Sequence, residues 1–182
     1  DRVHAWEVWN EPNIPTFWKP PNVVDYTHLL KAASKAAHAA DPQCVVVGAA
    51  ANETDINWII DIAKNGGLDY MDAISIHPYS MSDGPEQMDL ARQIENVRTV
   101  LSSNGHPNMP IWITEMGWKS SLTDTKANSR NSGYMVQSYV IAASQHVPHL
   151  FWFAEQDWLE GAKLQGWGLI APDYQPKPTL KA

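Results

Sequence analysis

The sequence is short of cysteine, of long apolar runs and of clustered positive charge. Its single cysteine, Cys44, has no partner for a disulfide within the chain and begins an apolar run, which favours a small buried side chain. No apolar stretch reaches the roughly 18 residues that cross a bilayer. Thirteen lysines and arginines are dispersed among twenty acidic residues, giving a net charge of −7 without the basic stripe typical of phosphate-backbone binding. These absences argue against a membrane span and against a nucleic-acid partner.

The start of the chain carries little information about the compartment of the protein. The first residues lack the basic and then apolar pattern of a signal peptide. The chain begins at Asp1 and not at methionine, so the missing pattern is no argument for the cytoplasm. We leave the compartment open, with a secreted or extracytoplasmic location as the expectation.

What the sequence does have is the composition and pattern of a globular α/β protein. Of its residues 44% are apolar and 18% charged, and no repeat, linker or low-complexity tract divides them, so residues 1–182 are predicted to form one unit. Apolar runs alternate with amphipathic segments, which is typical of a parallel sheet covered by helices. The predicted strands are 4–10, 44–49, 72–77, 110–114 and 149–155. The predicted helices run from 23 to 40, from Asp55 to Gly66, from Pro85 to Asn104 and from 128 to 146, and a long loop follows residue 155.

Two glutamates close short apolar runs, and they carry the strongest functional signal. Glu11 follows the run around Trp6 to Trp9, and Glu115 follows the run from Ile111 to Ile113. Both side chains are therefore expected where a strand ends and a loop begins. Two carboxylates brought to one edge of a sheet can act as acid and nucleophile on an acetal.

Tryptophan is the most over-represented residue type, with nine in the chain. Four of them follow predicted strand ends and are expected in loops on the same side as the glutamates. These four are Trp18, Trp118, Trp158 and Trp167. A flat indole suits the C–H face of a pyranose, so this group could line a sugar cleft; packing in a core or against a partner explains it equally well.

Four motifs at predicted strand ends resemble those of a known enzyme group. They are Trp9-Asn10-Glu11-Pro12, His77-Pro78-Tyr79, Ile113-Thr114-Glu115-Met116-Gly117-Trp118 and Phe151-Trp152-Phe153. In this order they resemble retaining glycoside hydrolases of the clan whose catalytic glutamates follow strands four and seven of a TIM (β/α)8 barrel. The stretch from Gly168-Leu169-Ile170 to Pro176-Lys177-Pro178 is similar to family 39 and related cellulase-like sequences.

The resemblance implies that the chain is the C-terminal portion of such a barrel. Its five strands would be strands four to eight, and strands one to three, with an arginine that these enzymes carry on strand two, are absent from this sequence. Residues 1–182 would thus form an incomplete catalytic domain. An open sheet has two unpaired edges, which predicts self-association or pairing with the missing N-terminal half.

The resemblance also implies roles for the site residues. Glu11 would be the acid/base and Glu115 the nucleophile. Tyr79 would donate a hydrogen bond that keeps Glu115 ionised, while burial or a nearby negative charge would keep Glu11 protonated. Asn10 would bind the sugar 2-hydroxyl.

Four more residues are candidates for substrate contact or for tuning of the site. His77 would tune or position the acid, and Trp152 would form the floor under the sugar. Trp118 and Glu155 are further candidates for substrate binding. Each has a plainer alternative: His77 could be a core histidine, Tyr79 a packing residue and Glu155 a solvated loop residue.

The function expected from these residues is cleavage of a β-linked sugar or polysaccharide through a covalent glycosyl-enzyme intermediate, with no metal and no organic cofactor. The remaining histidines show no metal-ligand spacing. Two alternatives stay open: a catalytically inert or carbohydrate-binding remnant, and another barrel enzyme such as an aldolase or metal-dependent hydrolase. The last would need a Schiff-base lysine or a metal cluster at the strand ends, and neither is present there. The sugar, the linkage and exo or endo action are left open.

Overall fold

Five parallel strands form the centre of the computed structural model, which describes residues 3–182. They lie in chain order and each pairs in parallel with the next. The strands are β1 (Ala5–Glu7), β2 (Val45–Asn52), β3 (Ala73–His77), β4 (Ile111–Met116) and β5 (Leu150–Trp152). The sheet curls into an open half-barrel. This order confirms the predicted parallel α/β architecture.

Four helices connect successive strands and cover one face of the sheet. They are α1 (Val23–Ala40), α2 (Ile56–Lys64), α3 (Leu90–Ser103) and α4 (Thr125–Ser144), and short 3₁₀ helices occupy Gly67–Tyr70 and Pro178–Lys181. Asn22, Asp55 and Asp124 cap three of the helices by accepting hydrogen bonds from the first-turn amides. Within residues 3–182, no helix combines the length and the apolar content needed to cross a bilayer.

The hydrophobic core lies between the helices and the outer face of the sheet. One face of α3 is apolar and buried along its whole length, at Leu90, Ile94, Val97 and Leu101. Cys44 is buried as predicted, just before β2 begins. Alternate strand residues point to the opposite, inner face, where Glu7 and Thr114 occur among apolar neighbours. This parity decides which side chains can reach a site inside the half-barrel.

Several predicted boundaries are wrong for local conformational reasons. β1 ends at Glu7 and not at residue 10, because Trp9 has a left-handed backbone with φ 71°. α3 begins at Leu90 and not at Pro85, because Asp89 before it also has positive φ, at 55°. The predicted loop after residue 155 contains an antiparallel hairpin of β6 (Trp158–Glu160) and β7 (Lys163–Gln165).

A buried ion pair fixes this C-terminal segment to the barrel. The Lys177 ammonium donates to Asp157 Oδ1 at 2.7 Å, to the Ser120 carbonyl at 3.0 Å and to the Gly166 carbonyl at 3.1 Å. Both side chains of the ion pair are almost fully buried. All three ammonium protons have acceptors, so the desolvation of the charge is compensated locally.

Breaking this pair is expected to destabilise the protein strongly. Lys177→Met keeps the length of the side chain but leaves Asp157 buried without a counter-charge, which typically costs about 3–5 kcal/mol. The free energy of unfolding of the full chain, measured by equilibrium denaturation, checks this. Lys163→Met on the exposed strand β7 is the control, with an expected change within about 0.5 kcal/mol. Equal unfolding midpoints for the two variants would contradict the structural role.

Candidate active site

A cleft of about 400 Å³ opens at the carboxyl ends of the strands. Polar groups from four strand ends converge there, as expected where parallel strands finish at one edge. The polar lining residues include Asn10, Glu11, Asn52, Glu53, Tyr79 and Glu115, and the apolar ones are Phe17, Met81, Phe153, Trp158 and Trp167.

The structure brings the two predicted glutamates together. Glu11 lies in the loop after β1 and Glu115 lies near the end of β4. One oxygen of each and a ring nitrogen of His77 all lie within 4.8 Å of one another. Two carboxylates this close cannot ionise independently, so each affects the pKa of the other.

The backbone around the cleft is strained. Glu11, Glu53 and Thr54 have φ values of 42°, 53° and 52°. Non-glycine residues rarely adopt such conformations, which cost about 1–3 kcal/mol each and cluster at functional sites. The side chain of Asn13 helps to hold this geometry, since it donates to the Asn52 carbonyl and accepts from the Asn52 amide.

Two nitrogen atoms contact the same oxygen of Glu11. His77 Nδ1 and Asn52 Nδ2 each lie 3.0 Å from Glu11 Oε1. Burial alone would raise the pKa of Glu11, but the hydrogen bonds to His77 and Asn52 and the charge interaction with His77 outweigh it and lower the pKa below its ordinary value. These contacts therefore favour the ionised form of Glu11.

Glu115 has the opposite tendency. Its Oε2 accepts a hydrogen bond of 2.8 Å from the Tyr79 hydroxyl, as predicted, and lies 3.8 Å from His77 Nδ1. Burial and the negative charges of Glu11 and Glu7 nevertheless raise the pKa of Glu115, although His77 and Tyr79 oppose them. Burial and the Glu115 charge also raise the pKa of Tyr79 far above its ordinary value, so its hydroxyl remains a donor.

This order of acidity is the reverse of what the expected roles require. The sequence predicted an ionised Glu115 and a protonated Glu11. The difference arises because His77 lies 3.0 Å from Glu11 but 3.8 Å from Glu115, and because Asn52 adds a second hydrogen bond to Glu11 alone.

Aromatic rings form one wall of the cleft. The Trp167 ring lies 5.4 Å from that of Tyr79 and 6.0 Å from that of Phe153. Trp158 lies edge-on to Phe153 at 5.9 Å. The predicted placement of Trp158 and Trp167 in the lining thus agrees with the structure, while Phe153 was not predicted.

Other predicted contacts are absent from the cleft lining. Trp118 is buried, with 3% of its surface exposed, and donates its indole N–H to the Asp83 carbonyl. Trp152 packs on Trp118 at 5.8 Å, and its chain neighbour Phe153 lines the cleft instead. Adjacent residues of an extended segment point to opposite sides, which explains the exchange. Glu155 is exposed and lies outside the lining, so its expected substrate contact is not supported.

The structure also adds residues that the sequence reasoning missed. Asn52 ends β2 and contacts Glu11, and the same rule that selected Glu11, a polar residue closing a buried strand, could have found it. Phe17, Glu53 and Met81 lie in loops whose course no local pattern indicates.

Among residues 3–182, one group of side chains has the spacing to hold a metal ion, and it is the triad of Glu11, His77 and Glu115. These three side chains are also linked by a hydrogen bond and short charge contacts to one another. The arrangement is therefore satisfied without an ion, and it offers a buried carboxylate pair bridged by an imidazole.

Comparison with known proteins identifies the family of this chain. A sequence model described as Glycosyl hydrolases family 39 matches residues 1–161. A "Beta-xylosidase" from Geobacillus stearothermophilus is 27% identical over the whole chain, which covers 41% of that relative. The chain therefore spans about two fifths of the length of this relative.

Solved structures show the same fold. A monomeric β-xylosidase from Caulobacter crescentus aligns with a TM-score of 0.76 at 22% identity, covering 95% of this chain and 39% of the other. A family 39 glycoside hydrolase from Bacteroides cellulosilyticus aligns with a TM-score of 0.74 at 23% identity, covering 96% and 38%. These likenesses confirm that the half-barrel is part of a TIM (β/α)8 barrel.

The hydrogen bond from Tyr79 predicts a measurable effect on Glu115. Tyr79→Phe removes a donor that favours the ionised form, so the pKa of Glu115 is expected to rise further. A ¹³C NMR titration of glutamate-labelled protein checks this directly. Tyr139→Phe is the matched control, since its hydroxyl bonds the Leu150 carbonyl on the surface. An unchanged Glu115 titration in Tyr79→Phe would remove Tyr79 from the electrostatics of the site.

Proposed function

The chain belongs to glycosyl hydrolase family 39, and we propose that the complete protein is a retaining glycosidase that cleaves a β-linked sugar or polysaccharide by double displacement. The family match confirms the resemblance seen in the strand-end motifs. The proposal concerns the complete protein because the chain covers 41% of its curated relative.

The separation of the carboxylates carries the proposal. Retaining glycosidases hold their two carboxyl groups about 5–5.5 Å apart, whereas inverting enzymes leave about 6.5–9.5 Å for a water molecule. Oxygens of Glu11 and Glu115 lie within 4.8 Å. This spacing favours direct attack by a carboxylate over attack by water.

Glu115 then attacks the anomeric carbon, and Glu11 gives its proton to the oxygen of the leaving group. In the second step Glu11 takes a proton from water, and that water releases the sugar from Glu115. Asn10 lines the cleft and offers an amide to a sugar hydroxyl, while Trp167 and Phe153 offer flat surfaces to the ring.

The β-xylosidases among the relatives make an aryl β-xyloside the first substrate to test, with an aryl β-glucoside and an aryl α-L-arabinofuranoside as comparisons. One observation favours an inert or sugar-binding role for residues 1–182 alone. The inner face of the sheet is open at a cavity of about 310 Å³ lined by Trp112 and Phe151, among others. Assaying this chain beside the complete protein separates the two possibilities.

Replacing the two glutamates should give different kinetic signatures. Glu11→Gln should lower turnover of substrates with poor leaving groups about 10²–10⁴-fold, the usual contribution of a general acid. It should affect the first step with a dinitrophenyl leaving group much less, and azide should restore turnover by trapping the intermediate. Glu115→Gln should abolish turnover of both substrate types.

The control for these variants is Glu95→Gln on the exposed side of α3, which should leave kcat and KM unchanged. A mechanism-based 2-fluoroglycoside should label Glu115 in the active protein. Full activity of Glu115→Gln, or labelling at another residue, would overturn the assignment.

The acidity of the pair predicts an unusual pH dependence. Hydrolysis needs Glu115 ionised and Glu11 protonated, while the pKa of Glu115 is raised and that of Glu11 is lowered. The active form is then a minor species, most populated between the two pKa values. Below this window both carboxyl groups are protonated, and above it both are ionised. We expect a bell-shaped profile of kcat/KM with its maximum on the acid side of neutrality, and activity that rises through neutral pH would contradict it.

A further inference from the structure

We propose that Glu7, acting through Thr114, is a positioning residue that fixes the tautomer of His77 and so keeps an acid proton at Glu11. The inference rests on the proposed function, in which Glu11 is the general acid. Glu7, at the end of β1, points to the inner face of the sheet and does not line the cleft.

The donors and acceptors along this chain of contacts define its direction. Thr114 Oγ1 lies 2.7 Å from Glu7 Oε1, and His77 Nε2 lies 3.0 Å from the same hydroxyl. A carboxylate can only accept, so the single hydroxyl proton of Thr114 points to Glu7. Thr114 must then accept from His77, which places a proton on Nε2.

The other ring nitrogen therefore faces Glu11 in one of two states. His77 Nδ1 lies 3.0 Å from Glu11 Oε1. A neutral ring accepts a hydrogen bond from protonated Glu11, and a charged ring donates a hydrogen bond to ionised Glu11. Both states hold one shared proton between the two groups. Loss of this proton would leave two lone pairs facing each other, which is unfavourable.

Without Glu7 a third state becomes available. Thr114 could then donate to Nε2, and the neutral ring would carry its proton on Nδ1 and donate it to ionised Glu11. Every hydrogen bond would be satisfied, but Glu11 would have no proton to give. Glu7 excludes this state because it accepts the hydrogen bond from the Thr114 hydroxyl, which then cannot donate to Nε2.

The charges around the ring act in the same direction. His77 is fully buried and faces three carboxylates, with Glu11 at 3.0 Å, Glu115 at 3.8 Å and Glu7 at 4.0 Å. Asn52 from β2 and Tyr79 after β3 are neutral neighbours of this group. In the part of the chain that the structure describes, no lysine or arginine pairs with these carboxylates. Each negative charge thus favours keeping the shared proton.

A purely architectural role explains Glu7 less well. Its side chain is 29% exposed, and its hydrogen-bond partner is Thr114. Its neighbours on the inner face include Ala5, Trp112 and Phe151. Of these three, only Trp112 has a side-chain hydrogen-bond donor, its indole N–H.

The test uses kcat/KM against pH in the complete protein. Glu7→Met removes the acceptor, so that the Thr114 hydroxyl is free to donate to His77 Nε2, and Thr114→Val removes the link. Both should move the alkaline limb of the profile to lower pH by about one unit, the low end of the effect of an opposite charge at this range. Thr114→Ser keeps the hydroxyl and should retain the original limb. An unmoved limb in Glu7→Met, or an equal shift in Thr114→Ser and Thr114→Val, would overturn the proposal.

A second readout needs no substrate. ¹⁵N NMR above the alkaline limb should show the Nε2–H tautomer of His77 in the unmodified protein and the Nδ1–H tautomer in Glu7→Met. The signal is assigned by its loss in His77→Asn. If the tautomer changes in a protein that cleaves no glycoside, the link from Glu7 through Thr114 to His77 is supported and the proposed function is rejected. If the protein cleaves glycosides and the tautomer does not change, the proposed function is supported and the positioning role of Glu7 is rejected. If Glu7→Met fails to fold, the two Thr114 variants carry the same comparison.

Discussion

The hydrogen bond between the buried imidazole of His77 and the carboxylate of Glu11 is the interaction on which the rest of the site depends. His77 ends β3, the middle strand of the sheet, and contacts groups from the strands on both sides. It therefore sets the distance between Glu11 and Glu115 and also decides which of them holds a proton more easily. The spacing of the two carboxylates and their relative pKa values depend on the same ring nitrogen, since His77 Nδ1 lies near both.

The surroundings of this centre are built from a different part of the chain. Gly117 permits the Phe153 carbonyl to approach β4, because a side chain there would lie 2.2 Å from that oxygen. The segment then folds back, and the Trp167 carbonyl accepts from the Ala154 amide. Lys177 holds this segment in place by donating hydrogen bonds to Asp157 and to the Gly166 carbonyl. The two carboxylates thus lie at the ends of the strands, while the aromatic wall lies in the C-terminal segment that the buried Lys177–Asp157 pair anchors.

The sequence predicted the features that follow from pattern and position, and not those that follow from distance. Alternating segments predicted a parallel sheet covered by helices, the family resemblance predicted strands four to eight of a barrel, and Glu11 and Glu115 were found because parallel strands finish at one edge. Trp118 and Trp152 were misplaced, since a difference of one residue decides which side of a strand a ring occupies. The reversed acidity of the glutamates depends on a difference of less than an ångström between two contacts of His77. The extent of the domain, its partners and its compartment stay predictions.

The dependence of the aromatic wall on Lys177 has a consequence for biosynthesis. The strand ends that carry the carboxylates precede residue 120, whereas the wall is fixed by a side chain 57 residues beyond Ser120. A ribosome emits a chain from its N-terminus, and domains begin to fold as they emerge. Glu11 and Glu115 therefore leave the ribosome before the residue that fixes the aromatic wall, so a polypeptide stalled short of Lys177 would contain both carboxylates but lack the anchor of that wall.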